Sequence, residues 1–113
     1  MKPRIFITQI PHKRGRISGD MIPSVDISPA AELGEIIEMI PYQEPFFATA
    51  DLVSKLRHHL RHYDYERGDC LIALGDPAII SAASAILGLD HRNYILLKWD
   101  RYISKYLPAH IKV

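Results

Sequence analysis

The stretch Asp69-Cys70-Leu71-Ile72-Ala73-Leu74-Gly75-Asp76-Pro77-Ala78 decides the fold. Its apolar run from Cys70 to Leu74 is far too short to cross a bilayer and too continuously apolar for a half-exposed strand. It reads as a strand covered on both faces. Gly75 would let a ligand approach the backbone where the strand ends. Asp76 and Pro77 are the residues that start a helix, the first as cap and the second with φ already set. Ile79, Ile80, Ala83 and Ile86 then repeat at helical spacing, and Gly88 predicts the stop. A buried strand running straight into a capped helix is half of a parallel crossover unit.

Working outward, the pattern repeats upstream. Leu52, Val53, Leu56, Leu60 and Tyr63 share one face at spacings of three and four, which predicts a helix over 49–63 with Thr49 as its cap. At the start of the chain, 4–9 (RIFITQ) is β-branched and aromatic and reads as a first strand. The stretch 10–29, holding Gly15, Gly19, Pro11, Pro23 and Pro29, reads as a long loop or excursion from the sheet. Ser28 and Pro29 predict a single helical turn ending at Gly34, and 35–40 (EIIEMI) a short strand bounded by Pro41. Downstream, 94–99 (YILLKW) and 106–113 predict two strands joined as a hairpin. The order β, loop, β, α, β, α, β, β predicts one α/β layered domain over 1–113. Its mixed sheet has about five strands, two main helices and a C-terminal hairpin.

The totals agree with a globular domain. Of 113 residues, 48% are hydrophobic and 24% charged, which excludes a disordered chain. With 14 Lys and Arg against 13 Asp and Glu, overall charge does not drive nucleic-acid binding, so any such contact must come from a local patch. One cysteine, Cys70, excludes an internal disulfide and agrees with a reducing compartment. The N-terminus lacks the long apolar region of a signal peptide, no segment is long enough to span a membrane, and a cytosolic protein is expected.

Three places invite chemistry, each with a plainer reading beside it. At Gly75-Asp76 a strand end meets a helix start, where open α/β sheets hold ligands, and a nucleotide is the candidate. The pattern lacks the glycines and the lysine of a phosphate loop, and Asp76 would repel a phosphate, so a capped helix packed close to the sheet accounts for it as well. On the main helix, Lys55, Arg57, His58, Arg61 and His62 lie away from the apolar stripe, with His59 at its edge. They make an exposed basic face that could track phosphates, helped by Lys13, Arg14 and Arg16, or simply a solvated face paired with acids. His58 and His62 stand four apart without the further ligands a zinc site needs, so no metal and no cofactor is expected. Lys98, Trp99 and Arg101 close a strand end, where Trp99 could stack on a ring or cap a core edge. Cys70 lies inside the buried strand, no serine sits in a nucleophile elbow, and no catalytic residue is expected.

Asp26-Ile27-Ser28-Pro29-Ala30, Gly34-Glu35, Leu74-Gly75-Asp76-Pro77-Ala78 and Leu97-Lys98-Trp99-Asp100-Arg101, followed by Tyr102 and Tyr106, occur in that order. Together they resemble small proteins encoded by tailed bacteriophages and environmental phage genomes. The resemblance covers most of the chain from Arg4 onward. It implies a viral protein acting in the host cytoplasm and transfers no catalytic residue. The expectation is therefore a non-enzymatic binding or accessory module acting on nucleic acid or a host protein. The alternatives are a nucleotide-binding protein or small enzyme built on Gly75-Asp76, and a self-assembling structural protein. In the last case Tyr42, Phe46, Phe47 and Trp99 would lie at subunit contacts of a homo-oligomer.

Overall fold

The protein is described by a computed structural model covering residues 2–42 and 49–113, in the order β1 (Arg4–Ile7), β2 (His12–Arg14), β3 (Met21–Pro23), α1 (Ser28–Ala31), β4 (Glu35–Glu38), α2 (Thr49–Leu60), β5 (Cys70–Ile72), α3 (Pro77–Asp90), β6 (Asn93–Asp100) and β7 (Lys105–Lys112). The side chain of Thr49, expected as a cap, and residues Phe46 and Phe47 lie outside the described residues. Five strands form one sheet in the order β4-β1-β5-β6-β7. The first four run parallel, and β7 returns antiparallel beside β6, as the predicted hairpin requires. The fold is α/β with a mixed five-stranded sheet.

Hydrophobic alternation distributes the cover. Phe6, Leu71 and Tyr94 point to one face, where α2 and α3 bury Leu52, Leu56, Leu60, Ile79, Ala83 and Leu87 over them. Ile5, Ile7, Cys70, Ile72, Ile95 and Leu97 point to the other. That second face is covered by Ala30 of the one-turn α1 and by Ile10, Val25 and Ile27. Helix α1 on one face with α2 and α3 on the other is what right-handed crossovers demand when the chain runs from β1 to one side and then back past it. The reversal falls between β1 and β5, so the switch point of the sheet lies at their carboxyl ends.

Three expectations are corrected in detail. The stretch 10–29 is not a plain loop, because β2 and β3 pair antiparallel within it, from His12 opposite Pro23 to Arg14 opposite Met21. Ser28 does not cap α1. Ile27 holds the cap position, and the Asp26 carboxylate accepts from the Ser28 N–H at 2.9 Å. Gly88 does not stop α3, which runs on to Asp90. The helix ends where the His91 and Arg92 N–H groups both return to the Leu87 carbonyl at 3.0 Å, with Arg92 in the left-handed region at φ 70. Gly88 lies within the helix, where a Cβ would make ordinary contact with Val113 Cγ2 at 3.4 Å, and neither backbone nor packing there requires a glycine.

At the amino ends of the strands a polar knot fixes the sheet. Asp69, fully buried, accepts from the Arg4 N–H at 2.8 Å, from Arg4 Nε at 3.2 Å and from the Asp64 N–H at 2.9 Å. The Arg4 guanidinium also donates to the His62 carbonyl. Tyr63 continues the network, donating to the Asp69 carbonyl at 2.7 Å and accepting from the Ile95 N–H at 2.9 Å. A buried charge this well satisfied is an architectural element, at the edge opposite the switch point.

Candidate functional site

The two ends of the sheet distribute the predicted site residues. Lys55, Arg57, His58, Arg61 and His62 are exposed on α2 and the turn after it, with His59 half-buried at the stripe's edge, as the periodicity predicts. Arg57 reaches across to α3, where its Nε lies 3.3 Å from Asp90 Oδ2. The His58 and His59 rings meet edge-on, 5.8 Å apart. Burial, and then the neighbouring His58 charge, hold His59 below the usual imidazole range. Among the described residues no group of three His, Cys, Asp or Glu side chains is placed to hold a metal ion.

Lys98, Trp99 and Arg101 lie elsewhere. His62 stands at the amino edge beside Arg4, which is level with Asp69 and Tyr94 in the ladder. At about 3.3 Å per residue, the distance from Tyr94 to the turn after β6 is on the order of 15–20 Å. The basic helix and the β6–β7 turn therefore form two separate surfaces rather than one patch.

At the switch point, Gly75 and Asp76 are accounted for by local contacts. Gly75 has φ 85, and a Cβ there would sit 2.8 Å from the Gln9 carbonyl oxygen. The Asp76 carboxylate accepts from the Ala78 N–H at 2.7 Å. The Ile79 and Ile80 N–H groups both go to the Asp76 carbonyl at 3.1 Å, and Pro77 has no N–H. The donors that a phosphate would use at this helix start are thus already engaged. Thr8, fully buried, closes the crevice: its hydroxyl donates to the Leu74 carbonyl and accepts from the Leu74 N–H at 2.8 Å.

The open ground lies one strand further on. The β6–β7 turn is tied by Asp100, whose carboxylate accepts from the Tyr102 N–H at 2.9 Å and the Ile103 N–H at 3.3 Å. Around it Trp99, Tyr102, Ile103 and Leu107 are exposed by 46%, 89%, 53% and 42%. Arg101 lies 5.9 Å from the Tyr102 ring centre, and Trp99 meets Tyr106 edge-on at 5.0 Å. Trp99 separates two hollows. One, of about 440 Å³, opens between Lys98, Arg101, Leu107 and Ala109. The other, of about 520 Å³, lies on the α1 face between Trp99, Tyr106, Leu74 and the excursion residues Val25, Asp26 and Pro29. Burial, and then the Asp26 charge, raise Tyr106 above the usual phenol range, while hydrogen bonds from Ser28 hold Asp26 below the usual carboxylate range.

Sequence reasoning places Lys98, Trp99 and Arg101, leading into Tyr102, at this end of the sheet but does not single out Ile103 and Leu107 as exposed. The alternation of β7 carries the missing signal, because Leu107 sits directly opposite Lys98. Asp26 is missed because its approach to Tyr106 depends on how the excursion packs.

Fold and geometry together define a small doubly wound α/β protein with an exposed aromatic and cationic hairpin end. The sequence profile of the Phage Pam3 gp32-like protein family matches residues 3–113, and the chain belongs to that family. It is a phage protein, as the resemblance implies. Neither curated proteins nor solved structures yield a match. No helix among the described residues is long and apolar enough to cross a membrane.

Proposed function

We propose that the chain is a non-enzymatic binding module acting in the host cytoplasm, and that it docks a partner protein through the end of the β6–β7 hairpin. One observation carries the reading: Trp99, Tyr102, Ile103 and Leu107 are all solvent-exposed within one short stretch of chain. Large apolar side chains scattered singly need no explanation, but Trp99, Tyr102 and Ile103 stand exposed within five residues at one hairpin turn, with Leu107 on the other face of the ribbon, and that concentration of apolar surface is the composition of an interface centre. Lys98 and Arg101 flank Trp99 in the chain, while Asp100 between them is engaged in the turn. The complementary partner surface is an apolar hollow with an acidic rim. A protein fits better than nucleic acid because the basic residues of α2 lie at a distance from the aromatics, and Arg57 already pairs with Asp90. Self-association through the same hairpin end is the second reading, supported by the same exposed cluster.

The test is co-purification from phage-infected host cells, reading mass by light scattering and the 260/280 nm absorbance ratio before and after nuclease. The expected result is a stoichiometric partner protein, lost in a Tyr102→Asp, Ile103→Asp double variant whose melting temperature is unchanged. If the wild type gives only a multiple of its own mass, reduced by the double variant, self-association replaces the partner. A nuclease-sensitive 260 nm excess abolished by Arg57→Glu with Arg61→Glu overturns the reading and moves the interface to α2.

A further inference from the structure

We infer that the hollow on the α1 face binds a small planar nitrogen heterocycle bearing N–H donors, of the aminopurine or aminopyrimidine class, as the free base or nucleoside. This site is distinct from the protein-docking end of the hairpin, although Trp99 borders both. At about 520 Å³ the hollow lies within the range of small-ligand pockets, and it adjoins a second of about 460 Å³ that shares Asp26, Pro29, Ser104 and Tyr106. The first has room for a ring, the second for a substituent such as a ribose.

Its walls select the ring. Val25, Pro29 and Leu74 supply apolar contact, and Trp99 and Tyr106 present aromatic surfaces at an interplanar angle of 65°. A flat ligand can therefore stack on one ring and meet the edge of the other. The polar end is Asp26. Its carboxylate accepts from Ser28, which keeps it ionised, and a carboxylate has about four lone-pair directions to offer. The free directions suit a ring N–H and an exocyclic amine side by side, as guanine presents them, or the exocyclic amine alone of adenine or cytosine, in a charge-assisted contact. Asp26 and Glu32 in the combined hollow face one cation, Lys105, so the lining disfavours a ligand that carries a phosphate.

Trp99 is the sole tryptophan, which makes the test direct. Guanosine, adenosine and cytidine, and each 5′-monophosphate, are titrated into the full-length protein while Trp99 emission is followed, with calorimetry as a second readout. The expected result is saturable quenching by at least one nucleoside and weaker binding of its monophosphate. Asp26→Asn and Val25→Phe should each weaken binding roughly tenfold or more, the first by removing one charge-assisted contact, while Arg57→Glu leaves it unchanged. Equal affinity in Asp26→Asn, or no saturation with any of the three nucleosides, overturns the proposal. The Tyr102→Asp, Ile103→Asp variant keeps nucleoside binding, so failure here and failure of the docking reading are told apart.

Discussion

Thr8 shows how one buried hydroxyl can settle a junction. Its backbone N–H donates to the Ile72 carbonyl at 3.2 Å, and its side chain serves both the carbonyl and the N–H of Leu74. β1 and β5 are thereby held together past the point where their ladder ends. In Thr8→Val the shape survives but the Leu74 N–H loses its acceptor. Leaving a buried donor unsatisfied costs about 1–3 kcal/mol. The expected outcome is that loss in urea denaturation, with an unchanged m-value. In sequence, Thr8 is only the last residue of an alternating strand; its partner lies 66 positions away. Asp69 is similar. It stands at the head of the apolar stretch that decides the fold, but nothing in the spacing points to Arg4 as its counter-charge. Gly75 is similar again: its residue type suggests room for a ligand, whereas in the fold it stands at φ 85 with the Gln9 main chain where a Cβ would go.

At the scale of elements, what local physics dictates is legible. β5 and α3 follow from a buried apolar run and an Asp-Pro start, and the Asp76 cap forms as expected. The stripe of α2 and its basic outer face also follow from periodicity alone. What fails depends on contacts distant in sequence. Ile10, Val25 and Ile27 look like isolated apolar residues in a polar excursion, yet they supply much of the cover for one face of the sheet. The end of α3 is hidden for another reason. Gly88 invites a stop but continues the helix, and the left-handed position falls to Arg92, a residue that gives no such signal. Arg92→Gly relieves that backbone cost, and a gain of about 0.5–1 kcal/mol is expected, read as a higher melting temperature. The outer edges of the sheet are blunted by familiar means. β4 is short, with Glu35 and Glu38 at its ends, and Pro108 interrupts the donor row of β7. Edge-to-edge pairing of sheets is therefore the less favoured route to any homo-oligomer, and the exposed hairpin end the more favoured one.

For the whole molecule, pH is the most revealing variable on the alkaline side. Burial, and then the Asp69 charge, push the Cys70 thiol up to about 11 from 9.0. Burial likewise raises Tyr63 above the usual phenol range. Both groups keep their protons in the fold at a pH where the unfolded chain releases them. Over that interval the unfolded state binds fewer protons, so stability falls as pH rises. The contribution is complete below pH 9 and is lost on approach to about 11. The urea midpoint should decline across this window, and less steeply in Cys70→Ala. A flat midpoint would mean that Cys70 is already ionised in the fold.

The pairing of β6 with β7 has one further consequence. Every other strand of the main sheet is joined to its neighbour through a crossover, so a change in one must be accommodated by helices and strands remote in the chain. The pairing of β6 with β5 takes in only Ile95 and Leu96, and beyond them β6 ladders with β7 alone, out to Asp100 opposite Lys105. The tip of that ribbon, where the exposed aromatics and cations gather, can be rewritten as one contiguous cassette while the parallel scaffold stays as it is. On the proposed docking reading, recognition and architecture are encoded in separate stretches of the same chain, and the first can diversify while the second stays fixed.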